Sequence, residues 1–156
     1  MPDSYNQPLL LAPGADRFGE AHPIGFGTIA FKVVPADSEG VLILENVVHR
    51  PGGPARHLHT AQDEWFFAAE GNFVVEIGAQ RFALGPGDSL LAPRQVPHAW
   101  SNVGPGLGRL MIVFSPAGRM EAFFRTVTQV NAPPPQDPAL WRAHGMELLG
   151  PLLAVS

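Results

Sequence analysis

Four side chains in this sequence have the types and spacing of a metal site. His57 and His59 are separated by one residue, Glu64 follows shortly after them, and His98 lies in a later segment. Residues i and i+2 of a β-strand share a face, so the first two imidazoles can bind one ion together. Glu64 is five residues after His59, so the chain between them must turn or bulge to return the carboxylate to that face. Imidazoles with one carboxylate bind divalent Fe, Mn, Co, Ni, Cu or Zn and discriminate poorly among them.

The elements that must position these side chains are short β-strands. The 156 residues include 17 Gly and 17 Pro, which is too many for a helical bundle and is typical of strands joined by tight turns. Closely spaced turn signals favour a jelly roll or barrel. The predicted strands are 25–34, 41–49, 64–69, 72–77, 80–84, 89–92, 96–101 and 107–114.

The two ends of the chain have a different character from this barrel core, which we place at about residues 25–115. Residues 1–24 are rich in turn formers and are expected to wrap the outside. Residues 116–156 are predicted to be helical, with a spacer at Pro133–Pro135 and a second short helix over 139–149 that begins at Asp137 and Pro138. Apolar residues of the first helix recur at i, i+3, i+4 and i+7: Met120, Phe123, Phe124 and Val127. The chain is thus predicted to form one domain, 1–156.

Composition excludes several functions. The absence of Cys rules out disulfides, thiolate catalysis and cysteine-based zinc sites. A net charge of −4 without a basic run argues against nucleic-acid binding. We find no secretory signal and no stretch approaching the ~20 apolar residues of a membrane span. We therefore expect a cytoplasmic protein whose partner is a small molecule rather than nucleic acid or a membrane.

The His-x-His pair by itself could be accidental, with Glu64 and His98 as ordinary surface or core polar residues, but the wider spacing argues against this. The two segments resemble the two motifs of the cupin superfamily, G-x5-H-x-H-x3-4-E-x6-G and G-x5-P-x-G-x2-H-x3-N. The matching residues are His57, His59, Glu64 and Gly71 in the first motif, and Gly87, Pro93, His98 and Asn102 in the second. The fifteen residues between the motifs match a short, microbial-type segment.

This sequence departs from the cupin pattern at two turn positions. Pro51 stands where the first motif opens with Gly, although Gly52 and Gly53 follow it, and Gln95 replaces the inner Gly of the second motif. Glycine at such positions supplies backbone conformations that other residues adopt at a cost. The departures affect the path of two loops and leave the four ligand positions intact.

The resemblance implies an all-β fold, a double-stranded β-helix (cupin jelly-roll barrel) with one or two short C-terminal helices. It also implies one divalent transition metal ion in the lumen and, commonly, a homodimer. The segments DEWF, PHAW and PAGRMEAFF are similar to those of small cupins related to quercetin dioxygenase. By that likeness the protein is a metal-dependent dioxygenase of a small aromatic or enolisable substrate, with Glu64 as metal ligand and catalytic base. A Lewis-acid isomerase, lyase or cyclase, and a non-catalytic small-molecule binder, remain alternatives.

Strand parity predicts the neighbours of the metal. Phe66 shares the face of Glu64, and Trp100 and Asn102 share that of His98. Further candidates for the pocket wall, each of which could instead be plain barrel core, are Phe31, Phe73, Val75 and Met111. Gln62 and Arg94 lie near the motifs and could meet either substrate or solvent. Three histidines fit no ligand spacing, His22, His49 and His144, and of these we expect His49 to come nearest the pocket.

Overall fold

The computed structural model describes residues 7–37 and 40–155, which form two antiparallel sheets facing each other. The six-stranded sheet has the order β1-β2-β3-β10-β5-β8 and the five-stranded sheet the order β11-β4-β9-β6-β7. The strands are β1 His22–Pro23, β2 Gly27–Val33, β3 Leu42–Val48, β4 Ala55–His59, β5 Asp63–Glu70, β6 Phe73–Ile77, β7 Gln80–Leu84, β8 Ser89–Ala92, β9 His98–Asn102, β10 Gly108–Ser115 and β11 Met146–Leu152. The all-β jelly roll predicted from the sequence is confirmed.

The core lies between the sheets and is built by alternation along the strands. In β10, Leu110, Ile112 and Phe114 are buried, whereas the residues between them are half-buried. Met111 therefore faces outward, opposite Glu45 of β3 and Phe67 of β5. The expectation that Met111 lines the lumen is corrected by this parity, because its two neighbours in the strand are the inward-facing ones.

The C-terminal segment contains two short helices, α1 Met120–Val127 and α2 Pro138–Ala143. Helix α1 buries Met120, Phe123 and Val127. The side chain of Asp137 caps α2 by accepting a hydrogen bond from Ala139 N at 3.1 Å, as the sequence predicted. Neither of these helices is long and apolar enough to cross a bilayer.

The helix predicted over residues 139–149 is wrong in its second half. Helix α2 stops at Ala143, Gly145 has a left-handed φ of 81°, and the chain then continues as β11. Strand β11 pairs with β4, with Met146 opposite His59 and Leu148 opposite His57. The segment 116–156 is therefore partly sheet, and it covers what would otherwise be an open edge of the strand that carries two metal-ligand candidates.

The part of the N-terminal wrap that the structure describes follows the outer side of the six-stranded sheet. Lys32 Nζ donates hydrogen bonds to Ala12 O at 3.0 Å and Ala15 O at 2.7 Å. Gly14 N donates to Glu45 Oε1 at 2.5 Å. Residues 1–6 of the predicted wrap lie outside the described residues.

The backbone is constrained at Gln95 and at Gly53, which lies two residues after the departure at Pro51. Gln95 has a φ of 69° and is the one non-glycine residue with positive φ within the described ranges 7–37 and 40–155. Its N–H donates to His59 O at 2.8 Å, and its side chain donates to Thr60 O at 2.6 Å. Gly53 is fixed by close approach, since a Cβ there would lie 1.8 Å from Trp100 O. The glutamine thus accepts a strained φ and ties the second motif to the end of β4.

We expect Gln95→Ala to lower the free energy of unfolding by about 1 kcal/mol, because it loses the side-chain hydrogen bond and keeps the strained φ. Gln95→Gly loses the same bond but relieves a strain of about 1 kcal/mol or more, so it should be the more stable of the two variants. Urea denaturation of the three proteins measures both differences. If Gln95→Gly were less stable than Gln95→Ala, the claim that the positive φ of residue 95 is strained would be contradicted.

Candidate metal centre

The four predicted ligands converge from both sheets. His57 and His59 alternate on β4, His98 begins β9 directly opposite His57, and Glu64 reaches across from β5 in the other sheet. All four are buried, and each offers a ligand atom within 4.8 Å of the others. The prediction that three imidazoles and one carboxylate meet at one point in the lumen agrees with this geometry.

The return of Glu64 to the lumen depends on the loop between β4 and β5. Thr60 donates to Gly145 O from its N–H at 2.9 Å and from its hydroxyl at 3.0 Å. Gln62 is buried beneath Gly118, where an added Cβ would lie 2.2 Å from its Nε2. These contacts hold the loop that carries the chain from one sheet to the other, so Glu64 faces His59 and His98 rather than solvent.

Hydrogen bonds to backbone carbonyl groups orient two of the imidazoles. His57 Nδ1 lies 2.7 Å from Ala55 O and His98 Nδ1 lies 3.2 Å from Val96 O. A carbonyl accepts from a protonated Nδ1, which leaves Nε2 as the lone-pair nitrogen that ligates a metal. Both rings are thus prepared to present Nε2 to the lumen.

His59 provides the test of whether the group fits a metal. Both of its ring nitrogens are buried without a hydrogen-bond partner among the described residues. Its Nε2 lies 3.0 Å from Glu64 Oε2, close enough for an ionic contact but not aligned for a hydrogen bond. A buried polar atom without a partner is costly, and such atoms are rare in folded proteins. A divalent ion between the imidazoles and the carboxylate gives His59 the partner it lacks, so the residues present fit a metal.

The electrostatics of the cluster favour the same assignment. Burial opposes ionisation of Glu64, but the charge and hydrogen bond of His98, together with His59, outweigh it and lower the pKa of Glu64. Burial and the neighbouring His98 and His59 lower the pKa of His57 well below its usual value. Burial would also lower the pKa of His98, but Glu64, 2.7 Å away, raises it. The ionised Glu64 and the neutral His57 are already in the state that divalent metals bind, and His98 must lose its proton before it can ligate.

The centre opens into a largely apolar cavity of about 430 Å³, a volume that includes its open mouth. Besides the ligand candidates and two tryptophans, Asn46 is the polar side chain among its lining residues. The other lining residues are Ile24, Phe26, Pro54, Trp100, Ile112, Phe114, Met120, Phe123, Phe124, Pro134, Trp141 and Met146. Pro54, Phe124 and Pro134 are only partly buried, so the mouth lies on their side.

Of the predicted pocket residues, Trp100 lines this cavity, and the prediction is wrong for the others, which are absent from its wall: Phe31, Phe66, Phe73, Val75, Asn102 and Met111. The Phe66 ring packs 6.1 Å from the ring of His98, and Phe73 packs 5.9 Å from Trp100. Phe31 contacts His22 and Phe18, and Val75 is a buried core residue of β6. Asn102 is fully buried, and its Oδ1 accepts from Gly104 N at 3.2 Å, which fixes a turn. Among these side chains, Phe66 is the one whose ring packs on a ligand candidate.

The remaining sequence candidates lie away from the cavity. Arg94 forms an exposed ion pair with Asp63 at 3.1 Å. His49 is exposed just after the end of β3, so it is not the nearest to the pocket of the three histidines without ligand spacing. His144 packs on Phe123 with a ring separation of 5.6 Å.

A second group with ligand-type atoms, Asp16, Glu20 and His22, is less suited to a metal. Asp16 already accepts hydrogen bonds from Phe31 N at 2.8 Å and Phe18 N at 2.9 Å. Arg125 lies 3.6 Å from Glu20. These carboxylates are therefore occupied in holding the N-terminal segment.

Sequence reasoning missed the residues that close the cavity. The Trp141 ring lies 5.0 Å from the ring of His57, and Phe124 lies 5.8 Å from Phe114. Trp141 Nε1 donates to Pro135 O at 2.7 Å, which fixes the indole over the centre. The helical period of α1 was a usable signal for an apolar face, but the period does not say which surface that face covers.

Comparison with known proteins agrees with the fold and the centre. The family model described as "Cupin domain" matches residues 46–114, the part of the chain that contains all four ligand candidates. Residues 46–114 therefore form a cupin domain. No match was found among curated protein sequences.

Solved structures with the cupin fold are similar to this chain. KdgF from Halomonas sp. is 20% identical, with a TM-score of 0.53 over 58% of this chain and 79% of that one. An RmlC-like cupin from Shewanella frigidimarina NCIMB 400 is 25% identical, with a TM-score of 0.52 over 63% and 84% of the two chains. Iron(II) HppE is 21% identical, with a TM-score of 0.51 over 57% of this chain and 50% of that one.

We expect His98→Ala to abolish stoichiometric metal binding, because it removes one imidazole and leaves Glu64 without its nearest partner. Metal analysis after dialysis should fall from about one ion per chain to below about 0.1. His49→Ala removes an exposed histidine and should keep the full content. Equal metal content in the two variants would place the ion elsewhere.

Metal binding should release a proton that His98 carries. The raised pKa keeps His98 protonated below and near its usual titration range, and ligation requires the neutral ring. His57 contributes little, since its lowered pKa leaves it neutral already. Calorimetry in buffers of different ionisation enthalpy should show release of about one proton near pH 6, and affinity rising about tenfold per pH unit until His98 deprotonates. Binding without proton release near pH 6 contradicts this.

Proposed function

We propose that this cupin is a metal-dependent dioxygenase of a small, largely apolar organic substrate. The observation that carries the proposal is that the cavity beside the four ligand candidates has almost no other side chains that could act as acids or bases. Beyond the ligand candidates its wall contains no Lys, Arg, Asp, Ser, Thr or Tyr among the described residues. Reactions that need several protein acids and bases are therefore poorly served, whereas a reaction driven by metal and dioxygen needs few.

A divalent transition metal held by His57, His59, Glu64 and His98 would supply open coordination positions and the electronic means to use dioxygen. The protein supplies the rest. The apolar wall excludes water and favours aromatic or enolisable molecules over highly charged ones. Trp100, Trp141 and Phe114 provide flat surfaces against which a ring can pack.

Glu64 is the group that can accept a substrate proton. It is ionised because its pKa is lowered, and its Oε2 lies 2.7 Å from His98 Nε2. The lowered pKa makes this carboxylate a weak base, so it would take the proton only from a substrate enol or phenol that ligation to the metal had made acidic, leaving the electron-rich anion that oxygenation requires. Dioxygenation adds both atoms of O₂ to the substrate, whose own electrons reduce them, so no external reductant is needed.

Oxygen uptake tests the proposal. Metal-free protein is loaded anaerobically with each candidate ion and given a panel of flavonols, catechols and 1,3-diketones. We expect one O₂ consumed per substrate with a redox-active ion, and both atoms of ¹⁸O₂ in the product. Turnover with zinc in the absence of oxygen would favour the Lewis-acid alternative. Binding that stabilises the protein while the ligand stays unchanged would favour a binding protein.

Glu64→Gln retains the shape of the side chain but loses the charge and the basicity. We expect kcat per bound metal to fall by about 10²–10⁴. Glu76→Gln makes the same change at a residue paired with Arg56 and Arg81 and should stay within about twofold of wild type. A Glu64→Gln protein that binds metal and turns over at the wild-type rate would remove Glu64 from the chemistry. The homodimer implied by the cupin resemblance stays a prediction.

A further inference from the structure

We propose that Asn46 is the specificity-determining residue of the cavity. Its side-chain amide hydrogen-bonds a hydroxyl or carbonyl group at the end of the substrate remote from the metal centre. This inference rests on the proposed function to the extent that the cavity must be the substrate site. It adds the substrate's second polar group, about which the metal ligands say nothing.

The Asn46 side chain is buried and free to bind. The residue is 3% exposed, lies on β3 and lines the cavity. No hydrogen bond within the described ranges 7–37 and 40–155 involves its amide. The amide atoms are also not among the fully enclosed polar atoms that lack a hydrogen-bond partner. The amide therefore borders the open space of the cavity. Buried polar groups are normally paired, so an amide left facing an apolar cavity points to a ligand group.

Asn46 lies well away from the metal-ligand candidates, measured along the strands of its sheet. Glu64 is paired with Phe114, and Phe114 is paired with Leu42 of β3. Asn46 is four residues beyond Leu42, which is about 13 Å along the strand at ~3.3 Å per residue. Side chains reaching inward from both ends shorten that gap. A ligand that contacts both ends must span the distance that remains.

The wall between the two ends is apolar. On β10, Ile112 lies between the inward-facing Phe114 and Leu110. Leu110 is paired with Asn46 of β3. From the other side, the rings of Phe26 and Trp100 pack 5.8 Å apart. A ligand reaching from the metal to Asn46 must therefore carry its polar groups at its two ends and none in the middle.

The amide also restricts the class of the remote group. It offers an N–H donor and a carbonyl acceptor and carries no charge. It can therefore accept a hydrogen bond from a hydroxyl group or donate one to a carbonyl group. A carboxylate there would be buried without a counter-charge, since no Lys or Arg lines the cavity among the described residues, and an ammonium would lack one because the acidic residue of the lining, Glu64, lies at the metal end. The substrate class is thus a ring compound with metal-binding oxygens at one end and a neutral hydroxyl or carbonyl at the other.

A matched pair of ligands tests this without turnover. The protein is loaded with zinc, and anaerobic calorimetry measures its affinity for 3,4-dihydroxybiphenyl and for 3,4,4′-trihydroxybiphenyl. Both carry a catechol for the metal, and only the second has a remote hydroxyl. We expect wild type to prefer the trihydroxy compound about tenfold or more. We expect Asn46→Leu, which is similar in volume and lies in an apolar wall, to reduce that preference to within about twofold.

Asn72→Leu makes the same chemical change at an exposed turn outside the cavity and should retain the preference. A thermal melt checks that each variant is folded, and Asn46→Ala serves in place of Asn46→Leu if the latter is not. A wild-type preference near one, an equal preference in the Asn46 variant, or failure of both compounds to bind overturns the proposal. Because zinc binding requires no oxygen, failure of the dioxygenase proposal would appear only in oxygen uptake and not in this ratio.

Discussion

The rest of the structure depends on an ionised carboxylate buried among imidazoles. Glu64 is 3% exposed, and its Oε2 lies 2.7 Å from His98 Nε2 and 3.0 Å from His59 Nε2. Removing a carboxylate from water costs several kcal/mol unless charge and hydrogen bonds compensate. Without metal, the raised pKa of His98 and the lowered pKa of Glu64 give a compensating ion pair. A metal provides stronger compensation and also gives His59 a partner, which is why this cluster is best understood as a ligand set.

The jelly roll serves this constraint by placing the carboxylate and the imidazoles on opposite sheets. Strand β4 presents two imidazoles because alternate residues share a face, and β9 adds the third directly opposite His57. The C-terminal segment then does two things at once. Strand β11 pairs with β4, while α1 and α2 place Phe123, Phe124 and Trp141 over the lumen. The same segment thereby steadies the ligands and makes their surroundings apolar.

The sequence allowed the ligand set to be predicted because the ligands depend on local spacing. His57, His59, Glu64 and His98 follow from strand parity and two motifs, and the strands around them follow from turns and alternation. The pocket wall depends on long-range packing, which spacing does not encode. Met111 is one residue out of phase with Ile112, and His49 lies just past a strand end. The helical-looking stretch after Gly145 becomes a strand because β4 offers it an edge, so tertiary pairing overrides local propensity. Asn46 gave no sequence signal, since an asparagine in an apolar strand acquires meaning only from the space it faces.

The central claim is that these four side chains hold one metal ion, and the most direct test is anomalous diffraction from crystals of the metal-loaded protein. We predict a single strong peak in the lumen, about 2.0–2.2 Å from Nε2 of His57, His59 and His98 and from a carboxylate oxygen of Glu64. A lumen without a peak in crystals grown with excess metal, or a peak ligated by other residues, would contradict the claim.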